Sequence, residues 1–573
     1  MKSEHKYIKS LISKMTLDQK IGALLTLGFA GTIARPHIYD YITKYHCGGL
    51  RLSPGSRHFG SYIDPRTGKT IVSIEDTRGY KQGISPPYVS VFEYKRILDE
   101  LQGVAMSRPL GIPLHFSFDQ EGGAGVNSRF TGVNFFPRSM GIRATGDSRF
   151  AYEAAKAVAR QSKSVGFNWI HSPVLDINVQ PNNPEIYTRA YSDRVNEVVE
   201  YSIEACRGFK EINVIATGKH FPGRGDSSFD AHYDIPIIDT DKKTLMNREL
   251  LPYSELIKLN LLPSIMLAHT IYPAIDDNDV ATVSKKVVTG LLREELGFGG
   301  VVTTDSMTMG GIAVKYGVAN ACALALEAGA DLVLMKAETE LVDDTISTIR
   351  RFVENGRIST SELDKKVYRV LSLKYEYGLF TYGNNWAEKP EDTLEDRQII
   401  DLSKLVARKS VLIAKDKNKL LPLPRNEEIT VIEQINFTPN DIHWHPGILY
   451  KNCTKYNRNA RYLETAYTYD ESDKDAIINT LKGCKTVVIT NFYERGRASN
   501  NEFISELLAN KSNKIVIITN TPYPLSIPKG SDCIIITFGT SPANVEVVAG
   551  VLFGGIIPEG EWPIEYVPDV LNG

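Results

Sequence analysis

The sequence predicts an α/β protein: a parallel (β/α)8, TIM-like barrel followed by a smaller α/β three-layer sandwich domain. Three observations lead there. Eight short apolar runs between Ile21 and Met335 alternate with amphipathic stretches, the pattern of a closed parallel sheet wrapped by helices. Several of these runs end in polar residues (Asp119, Asp176, Lys219-His220, His269, Asp305), as expected where the C-terminal ends of barrel strands line a site. Beyond Leu402 a second alternation begins, after a stretch that reads as a linker. The expected division is a barrel over 1–380, a linker over 381–402 and a C-terminal unit over 403–573.

In chain order, strands of the first unit are predicted at Ile21–Phe29, Gly48–Leu52, Pro113–Phe118, Trp169–Leu175, Val214–Thr217, Ser264–Ala268, Val301–Thr304 and Asp331–Met335. Amphipathic stretches such as Phe150–Val165, Val195–Phe209 and Leu245–Leu259 supply helices between them. Helical patterns over Thr339–Asn355 and Ser359–Tyr377 close the unit. The second unit has predicted strands at Val411–Ala414, Ile429–Glu433, Thr486–Thr490, Lys514–Thr519 and Cys533–Phe538, with helices at Glu502–Ala509 and Asn544–Phe553. One stretch does not fit a plain barrel. Pro54 to Val89 is a long polar excursion carrying Arg57, His58, Tyr62, Arg66 and Tyr80. Loops this long are usually functional or mobile. Two placements fit it equally: the wall of a cleft at the barrel top, or packing on the outside or on a partner subunit.

Composition narrows the class. With 42% hydrophobic and 23% charged residues, the chain reads as an ordinary soluble globular protein. A formal net charge of -2 gives no global attraction to nucleic acid or to acidic lipid. No apolar run is long enough to cross a bilayer. The N-terminus, Met1-Lys2-Ser3-Glu4-His5-Lys6, leads into a charged amphipathic helix without a signal-peptide core, so a cytoplasmic location is expected unless a leader has been removed. Cys47, Cys206, Cys322, Cys453, Cys484 and Cys533 are scattered and read as buried free thiols, not as a zinc site or a disulfide framework. No metal and no organic cofactor is expected. Oligomeric state stays open, and a monomer suffices for such a chain.

The most informative segment is Lys219-His220-Phe221-Pro222-Gly223-Arg224-Gly225-Asp226-Ser227-Ser228-Phe229-Asp230-Ala231-His232. It follows an apolar run, and Pro222, Gly223 and Gly225 then break regular structure, so titratable groups fall on a loop at the end of a strand. The segment resembles the strand-loop motif of family 3 glycoside hydrolases, in the branch that removes N-acetylglucosamine (the NagZ type). That branch typically reads Lys-His-Phe-Pro-Gly-His-Gly-Asp, then Asp-Ser-His. Here Arg224 stands in place of the second histidine and Ala231 in place of the serine.

Asp305 ends the run Val301-Val302-Thr303-Thr304 and precedes Ser306-Met307-Thr308-Met309-Gly310-Gly311, an order of strand, acid, tight turn and helix. By pattern alone it is either a nucleophile or a helix cap. The resemblance to the family's Ser-Asp-Asp-Leu-Ser-Met-x-Gly motif implies the nucleophile. His232, with Asp230 beside it, is the candidate acid/base: a free imidazole titrates near ~6.5, and a carboxylate partner orients the ring and stabilises its protonated form. The hexosaminidase branch uses such an Asp-His pair, whereas most family 3 enzymes use a glutamate.

The resemblance also implies sugar-holding residues. Phe116-Ser117-Phe118-Asp119-Gln120-Glu121-Gly122-Gly123 resembles the family's Asp-Gln-Glu-Gly-Gly segment, so Asp119 would accept bonds from sugar hydroxyls. Arg129 resembles a further site position, although the spacing before it is longer than the family's. Ser172-Pro173-Val174-Leu175-Asp176-Ile177-Asn178 resembles another family segment, in which Asp176 would tether the barrel top and the later Arg189 would reach the substrate. Lys219 and His220 would contact the sugar, His269 would line the site, and Arg224 would add charge to it. In the second unit, no acid stands out as a candidate.

The expected activity is hydrolysis of a terminal β-linked N-acetylglucosamine, or a related 2-substituted sugar, from peptidoglycan or chitin fragments, by double displacement with retention. The expected partner is thus a small carbohydrate. Two alternatives are a glycoside phosphorylase, since a neutral histidine repels phosphate less than a glutamate does, and a non-catalytic sugar-binding protein. The glycines at 223 and 225 also suggest a flexible loop that carries His232 in and out of the site.

Overall fold

Thr16 opens the barrel. Its hydroxyl accepts from Gln19 N at 3.3 Å and the Gln19 side chain accepts from Thr16 N at 3.0 Å, a capping box that starts the helix Leu17–Ala23. Ile21, expected in the first strand, therefore belongs to this helix, and the first strand (β1) runs Leu25–Ala30. This computed structural model describes residues 2–54, 60–63, 70–73, 89–122, 132–232, 234–336, 339–382, 386–435, 447–495, 498–510 and 513–572.

Seven further strands complete a closed barrel: β2 (Gly49–Ser53), β3 (His115–Phe118), β4 (Trp169–Ile170), β5 (Ile215–Phe221), β6 (Ser264–Leu267), β7 (Val301–Ser306) and β8 (Leu332–Met335). All neighbours are parallel, and β8 closes on β1 with Leu25 opposite Val333. β4 is shorter than the apolar run that predicts it. Pro173 has no N–H to give the ladder, so regular pairing stops at Ile170 and only Val174 bridges back, to Lys219. The ladder between β5 and β6 skips a residue between Lys219 and Phe221. This bulge leaves His220 outside the pairing and frees it for the site. The helix expected over Leu245–Leu259 is two helices, Lys242–Asn247 and Leu251–Lys258, because Pro252 starts a new first turn.

The barrel floor is closed by the helix Thr360–Glu376. Its Lys374 is buried and donates to Gly48 O at 2.6 Å and Pro113 O at 2.8 Å, tying the starts of β2 and β3 to the last helix of the barrel. Within the polar excursion, Gly60–Ile63 and Thr70–Ser73 pair as an antiparallel hairpin. The rest of Pro54–Val89, nearly all of it, lies outside the described residues. The six cysteines are buried and unpaired.

Beyond the barrel, the helix Arg397–Ser410 leads into a six-stranded sheet ordered β9-β14-β13-β12-β10-β11. These strands are β9 (Leu412–Asp416), β10 (Ile429–Ile435), β11 (Ala460–Ala466), β12 (Thr486–Thr490), β13 (Lys514–Thr519) and β14 (Cys533–Ile536). β9 runs antiparallel to β14 and the other pairs are parallel. β11 escapes a search for apolar runs. It is an edge strand whose Arg461 and Glu464 face solvent, and edge strands carry such charges against unwanted pairing. Among the described residues, no helix is long and apolar enough to cross a membrane.

Candidate active site

The C-terminal ends of the barrel strands gather one dense polar network. Asp119, just past β3, accepts from Arg51 of β2, from Lys219 Nζ at 3.0 Å and from His171 Nδ1 at 3.3 Å. Glu121 takes Lys219 Nζ at 2.5 Å and a two-pronged bond from Arg189, Nε at 2.6 Å and Nη2 at 3.0 Å. Burial pushes the Asp119 carboxyl up, but Arg51, Lys219 and His171 outweigh it and hold it well below the usual range. The result is a pair of ionised acceptors walled by cations.

The tautomer of His220 follows from its partners. Arg189 Nη2 lies 3.2 Å from His220 Nε2 and can only donate, so Nε2 accepts. Nδ1 then carries the proton and donates to Asp176 Oδ2 at 2.7 Å. Burial, with Arg224, Arg189 and Lys219 nearby, holds this imidazole neutral by lowering its pKa well below the ordinary value. Asp176 also accepts from Arg224 N at 2.8 Å, so it anchors both the end of β5 and the loop after it.

That loop is packed tight. A Cβ at Gly225 would sit 1.8 Å from Ile177 O, and Gly223, at φ +134°, would press a Cβ to 2.9 Å from Glu249. Tyr272 donates its hydroxyl to Gly223 O at 2.6 Å, and Asn183 Nδ2 donates to Arg224 O at 3.0 Å and Gly225 O at 3.2 Å. In this conformation the two glycines serve close approach and, at Gly223, an unusual backbone angle. Exposure begins further on, at Ser228 and Phe229.

Two carboxylate centres face this loop. Asp305 lies at the end of β7, with Oδ1 accepting from Ser306 N at 2.7 Å and Oδ2 standing 3.4 Å from Arg224 Nη2. Burial pushes its carboxyl up, but Arg224, His269 and His232 overcome this and hold it at about 2. His232 Nδ1 meets Asp230 Oδ1 at 2.8 Å and Glu185 Oε1 at 3.4 Å. Burial and Arg495 lower its pKa, yet the bonds to Asp230 and Glu185 win and raise it above the ordinary imidazole value. Glu185 is the hub between the two centres: its Oε1 also takes Arg224 Nη2 at 2.9 Å and Arg495 Nη1 at 3.5 Å. His269 is fully buried, with Nε2 donating to Ser306 O at 3.0 Å and Nδ1 2.8 Å from Thr282 Oγ1, so it braces the turn behind Asp305. Arg129 lies outside the described residues.

Glu185, Asp230 and His232 bring three ligating atoms within 4.8 Å of one another. Three guanidinium groups, those of Arg224, Arg495 and Arg189, already bear on the same Glu185 oxygen, and a metal cation there would add to their charge. The donor set suits an ion-pair network better than a metal.

Sequence reasoning missed Arg51, His171, Glu185 and Arg495. Arg51 lies inside an apolar run, and Glu185 follows Asn183-Pro184 without any feature of its own. Arg495 comes from the second unit, in a loop after β12. A buried charge needs a partner, but nothing in one dimension says which residues will meet.

Residues 16–373 match the model of the glycosyl hydrolase family 3 N terminal domain. The chain belongs to glycosyl hydrolase family 3. A β-hexosaminidase A of Pseudoalteromonas piscicida is 28% identical over 384 residues, 63% of this chain and 61% of that protein. A β-hexosaminidase of Bordetella parapertussis is 31% identical over 244 residues, 42% of this chain and 68% of that protein. The chain thus spans less than two thirds of the length of the first relative. Among solved structures, a family 3 β-N-acetylglucosaminidase from Paenibacillus sp. str. FPU-7 superposes with a TM-score of 0.84 at 27% identity, covering 96% of this chain and 99% of that one.

Proposed function

We propose that this family 3 protein is a retaining β-N-acetylhexosaminidase, which removes terminal β-linked N-acetylglucosamine or a related 2-substituted sugar from peptidoglycan or chitin fragments. The observation that carries the reading is the pairing of His232 with Asp230 at 2.8 Å, beside a carboxylate, Asp305, held ionised by Arg224. A raised imidazole and a depressed carboxyl are what an acid and a nucleophile need at the same pH. The relatives' descriptions as β-hexosaminidases, and that of the Paenibacillus enzyme as a β-N-acetylglucosaminidase, support the sugar class.

In this reading Asp305 attacks the anomeric carbon as the glycosidic C–O bond breaks, and His232 gives the Nε2 proton to the leaving oxygen. A glycosyl ester of Asp305 results. His232 then takes a proton from water as the water oxygen attacks the same carbon, Asp305 leaves, and the sugar departs with its β configuration. Asp119, Lys219, Arg189, His220 and Arg129 would hold the sugar. Arg224 would fix the nucleophile and His269 would brace its turn. We keep 1–380 and 403–573, joined by 381–402, as the working division into catalytic and C-terminal units.

The test is hydrolysis of a chromogenic β-N-acetylglucosaminide against the β-glucoside, with and without phosphate, for wild type and Asp305→Ala. Preference for the N-acetyl sugar, lost in Asp305→Ala, is expected. For a hydrolase the rate should not respond to phosphate. A phosphate-dependent rate with a sugar phosphate product would make the protein a phosphorylase instead. Binding without turnover would make it a sugar-binding protein.

A further inference from the structure

The candidate acid/base is flanked by groups from both units of the chain. After β12 the chain passes through Tyr493, whose backbone is clasped by one side chain: Asn520 Oδ1 accepts from Tyr493 N and Asn520 Nδ2 donates to Tyr493 O, each at 2.9 Å. Tyr493 then reaches out to the barrel unit. Its hydroxyl donates to Pro184 O at 2.8 Å and its ring meets Tyr187 edge-on, with centroids 5.1 Å apart. Pro184 and Tyr187 bracket Glu185 in the sequence. Two residues past Tyr493, Arg495 comes within 3.5 Å of Glu185 Oε1 and 3.8 Å of Asp230 Oδ2. These are the two carboxylates that His232 Nδ1 faces.

We infer that Arg495 is a positioning residue supplied by the C-terminal unit: it steadies Glu185 and Asp230 around His232 and offsets their charge, so that the imidazole can release its proton. An imidazole between two carboxylates is held as the cation, and a cation held too firmly is a poor acid. A guanidinium that shares Glu185 Oε1 with the ring and meets Asp230 at its other oxygen, Oδ2, restores the balance. Among the described residues, the other charged or titratable groups around His232 and its carboxylates include Asp305 from the end of β7, Arg224 from the loop after β5, His269 from beyond β6, Arg189 and Tyr493. Arg224 and Arg189 reach Glu185 from the barrel unit, at 2.9 and 3.8 Å, and Arg495 adds the contact from the C-terminal unit. The role as acid/base rests on the function proposed above, whereas the placement of Arg495 on the two carboxylates does not.

The test uses the full-length protein with labelled histidine, its His232 ring signal assigned by loss in His232→Gln. In Arg495→Gln the titration midpoint of His232 should move to higher pH, and Arg495→Lys should bring it back. In the hydrolysis assay the alkaline limb of kcat should move the same way, with kcat falling on its plateau and KM unchanged. A His232 midpoint that stays put in Arg495→Gln, with melting temperature intact, overturns the proposal. If Arg495→Gln fails to fold, Tyr493→Phe removes the docking bond alone, and an unmoved midpoint there overturns it equally. A shifted midpoint in a protein without glycosidase activity would keep the electrostatic role and reject the function above.

Discussion

At the scale of single residues, the site runs on two opposed titrations. Burial alone would raise Asp305, but Arg224 and the nearby histidines hold it at about 2, while the bonds to Asp230 and Glu185 raise His232. On the proposed function, the working form has Asp305 ionised and His232 protonated. The rate should therefore hold level from mildly acidic pH to neutrality and fall as His232 loses its proton above the ordinary imidazole value, a limb measured by kcat/KM against pH. His232→Gln should abolish that limb and slow turnover by roughly 10²–10⁴-fold, least for substrates with good leaving groups. Asp305 also bears on stability. Its folded value lies below that of an unfolded aspartate, near ~3.9, so its contribution is present above that pH and is lost as pH falls through about 2. Acid melting of Asp305→Asn should lack this component.

At the scale of elements, the end of β5 and the loop after it are set by close contacts. The bulge at His220, the backbone of Asp176's segment and the glycines at 223 and 225 interlock with no space between them. Gly225→Ala would drive a methyl into Ile177 O, and overpacking of this kind costs about 1–3 kcal/mol, read as a lowered melting temperature. The barrel floor offers a contrasting test. Lys374→Met keeps the volume but takes the Lys374 donor from Pro113 O and leaves Gly48 O with His115 N alone, a loss of about 1–3 kcal/mol that should appear in denaturant unfolding while activity in the surviving fold is unchanged.

At the scale of the whole molecule, the stretch between β4 and the helix Val195–Glu211 is part of the surface on which the second unit docks, together with residues 138–146. Tyr523 donates to Asn178 O at 3.3 Å, Ser192 to Pro563 O at 2.8 Å, and Asp193 accepts from Glu565 N at 2.7 Å and Tyr566 N at 2.9 Å. The same stretch carries Glu185 and Arg189, so docking and the site share one piece of chain. The two units should melt together in one calorimetric transition. Asp193→Ala, which strands two N–H groups at the junction, should separate it into two.

The barrel was legible in one dimension because its cause is local. Parallel strands buried on both faces must be apolar runs, and the polar residues that end them, Asp119, His220 and Asp305, mark where the sheet opens to a site. The dyad spacing of Asp230 and His232 was legible too, since both lie on one loop two residues apart. What the tertiary structure alone decided is which charges meet. Glu185 and Arg495 are 310 positions apart in numbering (495 less 185) and have no pattern of their own, yet they converge on His232. The edge strand β11 and the broken helix at Pro252 belong to the same class, where solvent exposure or one backbone restraint outweighs the apolar pattern. Periodicity reports what each residue does with water. Electrostatic pairing depends on distance in space, which exists only once the chain has folded.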